Sequence, residues 1–327
     1  MPLLLTERDI REVLPMPDLI TAMARALAEF SAGRVVQPVR AVLSIGDHGL
    51  LAVMPAAINA PPNVGTKLVT VYPHNHDRGL PSHLATIILM DHATGALTAI
   101  LDGRYITEAR TAAVSAVSVD RLARKDATTL AIVGSGVQAH SHLEAIRHVR
   151  SLTDVRVWSP TAAHRETFAR DASRATGLAV RAVADASAAV RDADIVVLAT
   201  GSRVPVIADG DIRAGAHICA VGACRPAERE MPTALVARAR VFVDSRAGAL
   251  AEAGELLLPI AEGAFDASHI AGELGELVNG RVAGRGSDKD VTIFKSLGMA
   301  VEDVVAASLA LDRAIARGLG TAFDLSS

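Results

Sequence analysis

Residues 128–139 read TTLAIVGSGVQA, and this stretch decides the fold. An apolar run at Thr128–Val133 leads directly into a Gly-x-Gly-x-x-Ala loop, and a helical sequence follows the loop. In such a loop the first glycine permits the tight turn, the second lets the backbone approach a pyrophosphate, and the small alanine lets the helix pack closely on the strand. The backbone N–H groups at the helix start then hold the phosphates. The pattern predicts a dinucleotide site that includes Gly134, Gly136, Val137, Gln138 and Ala139.

Downstream of the loop, predicted strands alternate with predicted helices. Helices are expected at Ala162–Thr176 and Ala186–Arg191. The expected strands are Val155–Ser159, Ala179–Val183, Asp194–Thr200, His217–Gly222 and Val241–Asp244. Such an alternation indicates βαβ units on a parallel sheet.

Upstream of the loop, short apolar runs separated by turn residues predict an antiparallel or mixed sheet. Helices are expected at Pro17–Phe30, from Thr107 to about Arg124, and at Met299–Arg317. The expected strands are Val39–Ile45, Leu50–Met54, Gly65–Tyr72 and His83–Asp91. A turn is expected at Pro61–Asn63. The last helix is expected to pack back on this part. The sequence therefore predicts an α/β protein in which a Rossmann-type domain, 119–298, is inserted into a second α/β domain, 1–118 plus 299–327.

The composition excludes several classes of protein. The 327 residues carry 33 basic and 36 acidic side chains, and this balance leaves no basic field for nucleic acid. Half of the residues are apolar, which argues against disorder. The start of the chain has no basic leader, and no apolar run reaches the ~20 residues of a membrane span, so a cytoplasmic protein without a membrane partner is expected. Two cysteines, Cys219 and Cys224, fit a reducing compartment.

The second predicted strand of the Rossmann domain bears on the choice of dinucleotide. NAD-specific sites usually place an acid at the end of that strand, where it holds the ribose 2′-OH. Asp154 has about the right separation from the loop but lies at the start of the strand. At the strand's end, Ser159, Thr161 and Arg165 could hold a 2′-phosphate, so NADP(H) is favoured and NAD(H) is possible.

Three cations precede or interrupt apolar runs. Lys67 shares a strand face with Val69 and Val71, and Arg110 shares a helix face with Ala113 and Val114, while Arg40 opens the run Ala41–Ile45. An unpaired buried charge is costly, so these cations either converge on one carboxylate ligand or pair with nearby acids. No metal site is expected, because residues two apart in His74-Asn75-His76 and His140-Ser141-His142 do not share a helix face.

Several motifs resemble those of the ornithine cyclodeaminase/mu-crystallin family across nearly the whole chain. They are Val53–Ala56, Thr66–Thr70, Arg110–Ala116, Gly134–Ala139, Ala220–Ala223 and Phe294–Asp303. The resemblance implies a Rossmann domain inserted into a substrate-binding, dimerising α/β domain, and a homodimer. It also implies that Arg40, Lys67 and Arg110 grip the carboxylate of an amino or imino acid beside the nicotinamide. Further cofactor contacts implied by the resemblance are Ser82, His83, Arg110, Thr111, Thr200, Val221 and Ser296.

Two departures separate this chain from the cyclodeaminases of the family. Those enzymes carry a glutamate where this chain has Ala52 and an aspartate where it has Cys224. Cyclodeamination takes protons from an amine and expels ammonia, which is work suited to placed carboxylates. The Arg225-Pro226 and Arg229-Glu230 pattern is instead similar to ketimine reductases and Δ1-pyrroline-2-carboxylate reductases.

The resemblance therefore implies NAD(P)H-dependent reduction of a small cyclic 2-imino acid to proline or pipecolate. Lys67, or a water that it holds, is the expected proton donor. Three alternatives stay open: an ornithine or lysine cyclodeaminase, an amino-acid dehydrogenase such as alanine dehydrogenase, and an NADPH-regulated protein that binds a small ligand.

Overall fold

The computed structural model describes residues 1–325, apart from the side chain of His76, and divides into two compact units. The first unit comprises Met1–Arg110 and the segment from Gly298 onward, and the second unit comprises Thr111–Leu297. The sequence-based boundaries lie at 118/119 and 298/299. Strands and helices are numbered along the chain.

The first unit contains one mixed sheet. Its strands are β1 (Leu3–Leu5), β2 (Val35–Val36), β3 (Ala41–Ile45), β4 (Gly49–Asn59), β5 (Pro62–Val71), β6 (His83–Met90), β7 (Leu97–Asp102) and β16 (Thr321–Ala322). The order is β16–β1–β7–β6–β5–β4–β2, with β3 paired to β4. Only β1 and β7 run parallel among the paired strands described in this sheet. The prediction of an antiparallel or mixed sheet is confirmed.

The turn between β4 and β5 is shorter than the sequence predicted. Pro62 already pairs with Asn59, and Asn63 pairs with Ile58, so only Ala60 and Pro61 form the turn. The predicted turn at Pro61–Asn63 is therefore wrong, because the ladder continues to the end of the hairpin and carries Pro62 and Asn63 with it.

Helices cover the first sheet. They are α1 (Glu7–Val13), α2 (Met16–Ser31), α3 (Arg104–Leu122), which continues into the second unit, and α11 (Ala300–Arg317). Thr6 and Asp9 form a capping box that starts α1, and α2 buries a stripe of Leu19, Met23 and Leu27. Helix α11 packs on β4, β5, β6 and α2, as expected for the last helix.

The second unit is a parallel sheet with connecting helices. Its strands are β8 (Thr129–Val133), β9 (Asp154–Trp158), β10 (Val180–Ala182), β11 (Ile195–Leu198), β12 (His217–Ala220), β13 (Arg240–Val243), β14 (Ile270–Glu273) and β15 (Thr292–Lys295). Its helices are α4 (Val137–Ile146), α5 (Ala162–Thr176), α6 (Ala186–Val190), α7 (Thr233–Arg238), α8 (Arg246–Glu252), α9 (Gly254–Ala261) and α10 (Leu274–Val278). All the strand pairs described are parallel, so the predicted Rossmann-type sheet is confirmed.

The order of this sheet, β10–β9–β8–β11–β12–β15–β13–β14, places a switch point next to β8. The chain moves from β8 outward through β9 and β10, and then returns to add β11 and β12 on the other side of β8. In open α/β sheets, ligands bind outside the carboxyl ends of the strands at such a point.

Across residues 1–325, every helix falls short of the length or the apolar content that a bilayer crossing requires.

Candidate functional site

The glycine loop after β8 has the geometry that a pyrophosphate needs. Gly134 has a φ of 123°, and a Cβ added there would lie 2.3 Å from the Ala199 carbonyl oxygen, so only glycine fits this turn. A Cβ on Gly136 would meet nothing within 4 Å, which leaves open space beside the backbone. Gly136 is the N-cap of α4 and has no side-chain cap, so the helix start faces that space with its own N–H groups.

Two buried polar atoms of the second unit lack protein partners within residues 1–325. Gln138 Oε1, in the first turn of α4, and Ser296 Oγ, directly after β15, have no hydrogen-bond partner among the residues that the structure describes. Buried polar atoms are nearly always satisfied, so each of these suits a polar ligand. Both residues are predicted cofactor contacts.

Five of the predicted cofactor residues follow neighbouring strands of the second sheet. Each of these residues lies within two positions of the end of its strand: Gly134 follows β8, Ser159 β9, Thr200 β11, Val221 β12 and Ser296 β15. These strands are adjacent and parallel, so their carboxyl ends lie at one edge of the sheet. The structure therefore brings the five residues to the edge where dinucleotides bind in such folds.

The loop between β9 and α5 carries the residues predicted to hold a 2′-phosphate. Ser135 Oγ donates to Ser159 Oγ at 2.9 Å, and Arg165 Nη1 donates to the Ser159 carbonyl oxygen at 2.9 Å. Thr161 is the N-cap of α5 and is exposed. Asp154 lies at the other end of β9 and pairs with Arg156 at 2.8 Å and Arg181 at 2.7 Å. Asp154 is the first residue of β9, as predicted, and its carboxylate forms ion pairs with the two arginines at that end of the strand.

A buried carboxylate fixes the loops after β11 and β12. Glu230 accepts hydrogen bonds from Thr200 N and Oγ1 at 2.9 and 2.7 Å, and from Gly222 N and Ala223 N at 2.8 and 3.2 Å. Burial raises the pKa of Glu230, while the nearby Lys295 lowers it. The sequence did not reveal this role, because Glu230 lies in an irregular loop segment.

Lys295 anchors the same region from β15. Its Nζ donates to the Ala223 carbonyl oxygen and lies 3.2 Å from Glu255 Oε2, and both side chains are 1% exposed. Burial lowers the pKa of Lys295, but Glu255, Cys224 and Glu230 together outweigh the effect of burial, and the pKa of Lys295 is raised. Glu255 Oε1 also accepts from the backbone N–H of Glu230 at 3.1 Å. In the sequence, Lys295 is part of the Phe294–Asp303 motif, which indicates no partner for it.

Lys67 is buried in the middle of the first sheet. It pairs across β5 with Met54 of β4 and Ile87 of β6, and it is only 1% exposed. Its Nζ lies 2.6 Å from Asp303 Oδ2 and 3.3 Å from Thr107 Oγ1. Burial lowers the pKa of Lys67 to about 8, although the Asp303 carboxylate acts in the opposite direction. The ammonium is therefore poised to give up a proton near neutral pH.

Arg110 lies next to Lys67 and contacts two carboxylates of α11. Its Nη1 is 2.5 Å from Glu302 Oε2, and its Nε is 2.9 Å from Asp303 Oδ1. Burial disfavours its charge, but these carboxylates raise the pKa of Arg110 above its usual value. The sequence left open whether such cations pair with acids or with a ligand, and the structure gives Arg110 and Lys67 acidic partners.

Arg40 completes this cation cluster, which we define as Arg40, Lys67 and Arg110. Its Nη2 lies 3.4 Å from the Gly298 carbonyl oxygen, and its charge contributes to the lowered pKa of Lys67. Gly298 has a φ of 78°, and a Cβ there would lie 2.2 Å from Arg110 Nη1, so the backbone passes against the guanidinium. The structure thus brings together all three predicted cations of the first unit.

Glu302 and Asp303 are the site residues that the sequence interpretation missed as partners. They were noted only as part of the Phe294–Asp303 motif. The usable signal is their setting, since Glu302 and Asp303 stand side by side among the alanines and valines of an amphipathic helix. The other predicted cofactor residues of the first unit, Ser82 and His83, stand at the start of β6, where Ser82 Oγ lies 3.1 Å from His83 Nδ1. Thr111, the first residue of the second unit, is buried in α3.

The fold and the glycine loop define a class of protein. A parallel sheet with a Gly-x-Gly-x-x-Ala turn at its switch point is the Rossmann type, and the chain is an NAD(P)-dependent oxidoreductase of that type. A sequence model of the ornithine cyclodeaminase/mu-crystallin family matches residues 1–318, and the chain belongs to that family.

Two relatives match over almost their whole lengths. A Δ1-pyrroline-2-carboxylate reductase from Bacillus cereus is 37% identical over 320 residues, which cover 97% of this chain and 98% of the relative. A ketimine reductase mu-crystallin from Mus musculus is 40% identical over 316 residues, covering 95% of this chain and 97% of the relative.

Two solved structures have the same fold. Δ1-Pyrroline-2-carboxylate reductase from Thermococcus litoralis, in complex with NADH and L-proline, gives a TM-score of 0.96 at 37% identity and covers 98% of this chain and 100% of its own. An archaeal alanine dehydrogenase dimer with bound NAD gives a TM-score of 0.94 at 29% identity and covers 99% of both chains.

Proposed function

We propose that this chain reduces cyclic 2-imino acids with NAD(P)H, converting Δ1-pyrroline-2-carboxylate to proline and Δ1-piperideine-2-carboxylate to pipecolate. The observation that carries the proposal is the cation cluster of Arg40, Lys67 and Arg110, in which Lys67 and Arg110 are buried and Arg40 is half-buried, in a chain of this family. The relatives from Bacillus cereus and Thermococcus litoralis, both 37% identical, are Δ1-pyrroline-2-carboxylate reductases.

Two side chains of the cluster bind the substrate, and the third transfers a proton to it. Arg40 and Arg110 bind the substrate carboxylate by charge-assisted hydrogen bonds, which orients the ring. Lys67 carries a proton on Nζ and donates it to the imine nitrogen as the carbon is reduced. Asp303, 2.6 Å from that Nζ, holds the ammonium in position. NAD(P)H supplies the hydride when it is bound.

The positions of Ala52 and Cys224 argue against a cyclodeaminase. Ala52 is buried within β4, and Cys224 is exposed two residues after Gly222. Neither side chain can take a proton from an amine as a carboxylate would. An amino-acid dehydrogenase is the second candidate, because the archaeal alanine dehydrogenase shares the fold at a TM-score of 0.94.

The purified protein is expected to oxidise NADPH with both cyclic imino acids and to release no ammonia from ornithine with NAD⁺. The reason is the absence of carboxylates at Ala52 and Cys224 beside a retained cation cluster. Absorbance at the nicotinamide band measures the first reaction, and a coupled ammonia assay measures the second. Pyruvate plus ammonia, run in parallel, tests the dehydrogenase. Ammonia release without imine reduction would overturn the assignment, and turnover of pyruvate alone would support the second candidate.

We further propose that NADP(H) is preferred over NAD(H). The loop from Trp158 to Arg165 contains no acid that would repel a 2′-phosphate, and the Arg165 guanidinium is held against the backbone of that loop. Ser159 and Thr161 offer hydroxyl groups beside it. An arginine and hydroxyl groups in the place of the ribose carboxylate favour the phosphorylated cofactor.

Arg165→Ala is expected to reduce the NADPH-to-NADH ratio of kcat/KM by roughly 10- to 150-fold, the value of a charge-assisted hydrogen bond. Steady-state kinetics with each cofactor at fixed imino acid measure the ratio. Arg170→Ala is the matched control, because Arg170 lies on the same helix and its side chain is 59% exposed. Equal efficiency with both cofactors that is unchanged in Arg165→Ala contradicts the phosphate site.

We also propose a cytoplasmic homodimer. Cys219 and Cys224 form no disulfide within the described residues, which fits a reducing compartment. All five residues of β3 are exposed, including Leu43 at 58%, and β3 pairs only with β4 in the described chain. An apolar strand of this kind is usually covered by a partner. A second copy is the expected partner, in line with the archaeal alanine dehydrogenase dimer, and the mass in solution tests it.

A further inference from the structure

Two adjacent carboxylates at the start of α11 lie in the interior of the first unit. Acids in the first turn of a helix usually stabilise it from the surface. Glu302 and Asp303, however, are both 0% exposed, and each contacts a cation from another element. Asp303 contacts Lys67 of β5 and Arg110 of α3, and Glu302 contacts Arg110. Helix capping therefore does not account for these two charges.

The charges of this cluster do not cancel. The charged groups that face one another are Lys67 from β5, Arg110 from α3, Arg40 from the segment before β3, and Glu302 and Asp303 from α11. With Lys67 protonated, three positive charges meet two negative ones. The cluster carries a net charge of about +1, as a simple count of formal charges at neutral pH.

A cluster with a net charge of +1 favours a ligand with one negative charge over a ligand with two. A ligand with one carboxylate brings the cluster to neutrality, whereas a second carboxylate leaves an uncompensated negative charge in a buried site. Without the two acids, the same three cations would carry a net charge of +3 and would favour a ligand with more than one carboxylate. The acids therefore limit how much negative charge the site tolerates.

We propose that Glu302 and Asp303 are specificity-determining residues that restrict the site to imino acids with a single carboxylate. The inference rests on the proposed function and deepens it, since it names the charge class of the substrate. Arg110 donates to both acids, through Nε to Asp303 and through Nη1 to Glu302.

The test compares two substrates with the same ring, Δ1-piperideine-2-carboxylate and Δ1-piperideine-2,6-dicarboxylate, at saturating NADPH. Glu302→Gln removes one charge without changing the shape of the side chain. Asp312→Asn is the matched control, because Asp312 lies exposed on the same helix. The readout is the ratio of kcat/KM for the two substrates, with thermal unfolding as the check on folding.

The wild type is expected to have the higher kcat/KM with the monocarboxylate. Glu302→Gln is expected to lower the ratio of kcat/KM, monocarboxylate over dicarboxylate, by roughly 10- to 150-fold. Asp312→Asn is expected to leave it unchanged within about twofold. An unchanged preference in folded, active Glu302→Gln overturns the inference, as does a wild type that reduces both substrates within about tenfold of each other.

Asp303→Asn gives a second reading of the same ratio if Glu302→Gln does not fold. If neither variant folds, a wild type that reduces both substrates within about tenfold of each other still overturns the inference. A wild type that reduces neither substrate overturns the proposed function. This result is distinct from comparable reduction of both substrates, which overturns only the specificity inference.

Discussion

Lys67→Met is expected to reduce kcat/KM for imine reduction by about 10²–10⁴-fold, the usual contribution of a general acid. Loss of a charge-assisted contact to the substrate carboxylate would add roughly 10- to 150-fold. The variant is expected to fold, because Asp303 keeps Arg110 at 2.9 Å as its partner when the lysine is removed. NADPH oxidation with Δ1-pyrroline-2-carboxylate measures the effect.

The pH profile separates proton donation from binding. Because the pKa of Lys67 is lowered to about 8, its ammonium is present below that pH and is lost as the pH rises through it. Wild-type kcat/KM should therefore fall on the alkaline side with a midpoint near pH 8. The deficit of Lys67→Met should be largest below that midpoint, where the ammonium is present and the imine itself is unprotonated, and it should shrink above pH 8. A residue that only binds the carboxylate would weaken binding at every pH.

Lys125→Met provides the matched control for this substitution, because the Lys125 side chain is 79% exposed. It should leave both the rate and the profile unchanged. If Lys67→Met raises only KM, with kcat and the alkaline limb intact, the proton donor is a water or another residue. If it changes neither parameter, Lys67 has no part in the site.

Features that depend on short stretches of sequence could be predicted, and those that depend on distant contacts could not. The loop at Gly134 and Gly136 was recognisable because its glycines are needed by the local backbone. The burial of Lys67 followed from strand alternation. Helix α5 has the predicted bounds, Ala162–Thr176, since its cap residues and its apolar stripe are local. The mixed sheet likewise followed from turn residues between short apolar runs.

The partners of the cations lay beyond local patterns. Arg110 and Asp303 are 193 positions apart in the chain, and no periodicity links them. Sequence could say that a buried cation needs an anion but could not say whether a ligand or the protein supplies it. Strand β15 and helices α7 to α10 were also missed, because elements of four to eight residues carry too few positions to show a period.

The second large effect concerns stability rather than catalysis. Lys295→Met is expected to lower the free energy of unfolding by about 3–5 kcal/mol at neutral pH, which is typical when one partner of a buried ion pair is removed. Glu255 would lose a cation 3.2 Å away, and the Ala223 carbonyl oxygen would lose its donor. Urea denaturation followed by circular dichroism measures the change. Lys289→Met is the control, since Lys289 is exposed and should shift stability by no more than about 0.5 kcal/mol.

The pH dependence identifies the cause of this loss. Burial already raises the pKa of Glu230, and the charge of Lys295 counteracts that rise, so removing Lys295 raises it further. A carboxyl group whose pKa is higher in the folded state stabilises the fold at low pH and loses that contribution as the pH rises through the folded-state value. The deficit of Lys295→Met should therefore grow from pH 5 to pH 8. Adding Glu255→Leu removes a carboxylate that has lost its partner and should recover part of the stability. A deficit that is the same at both pH values and is not relieved in the double variant would assign the loss to packing of the lysine's methylene chain rather than to its charge.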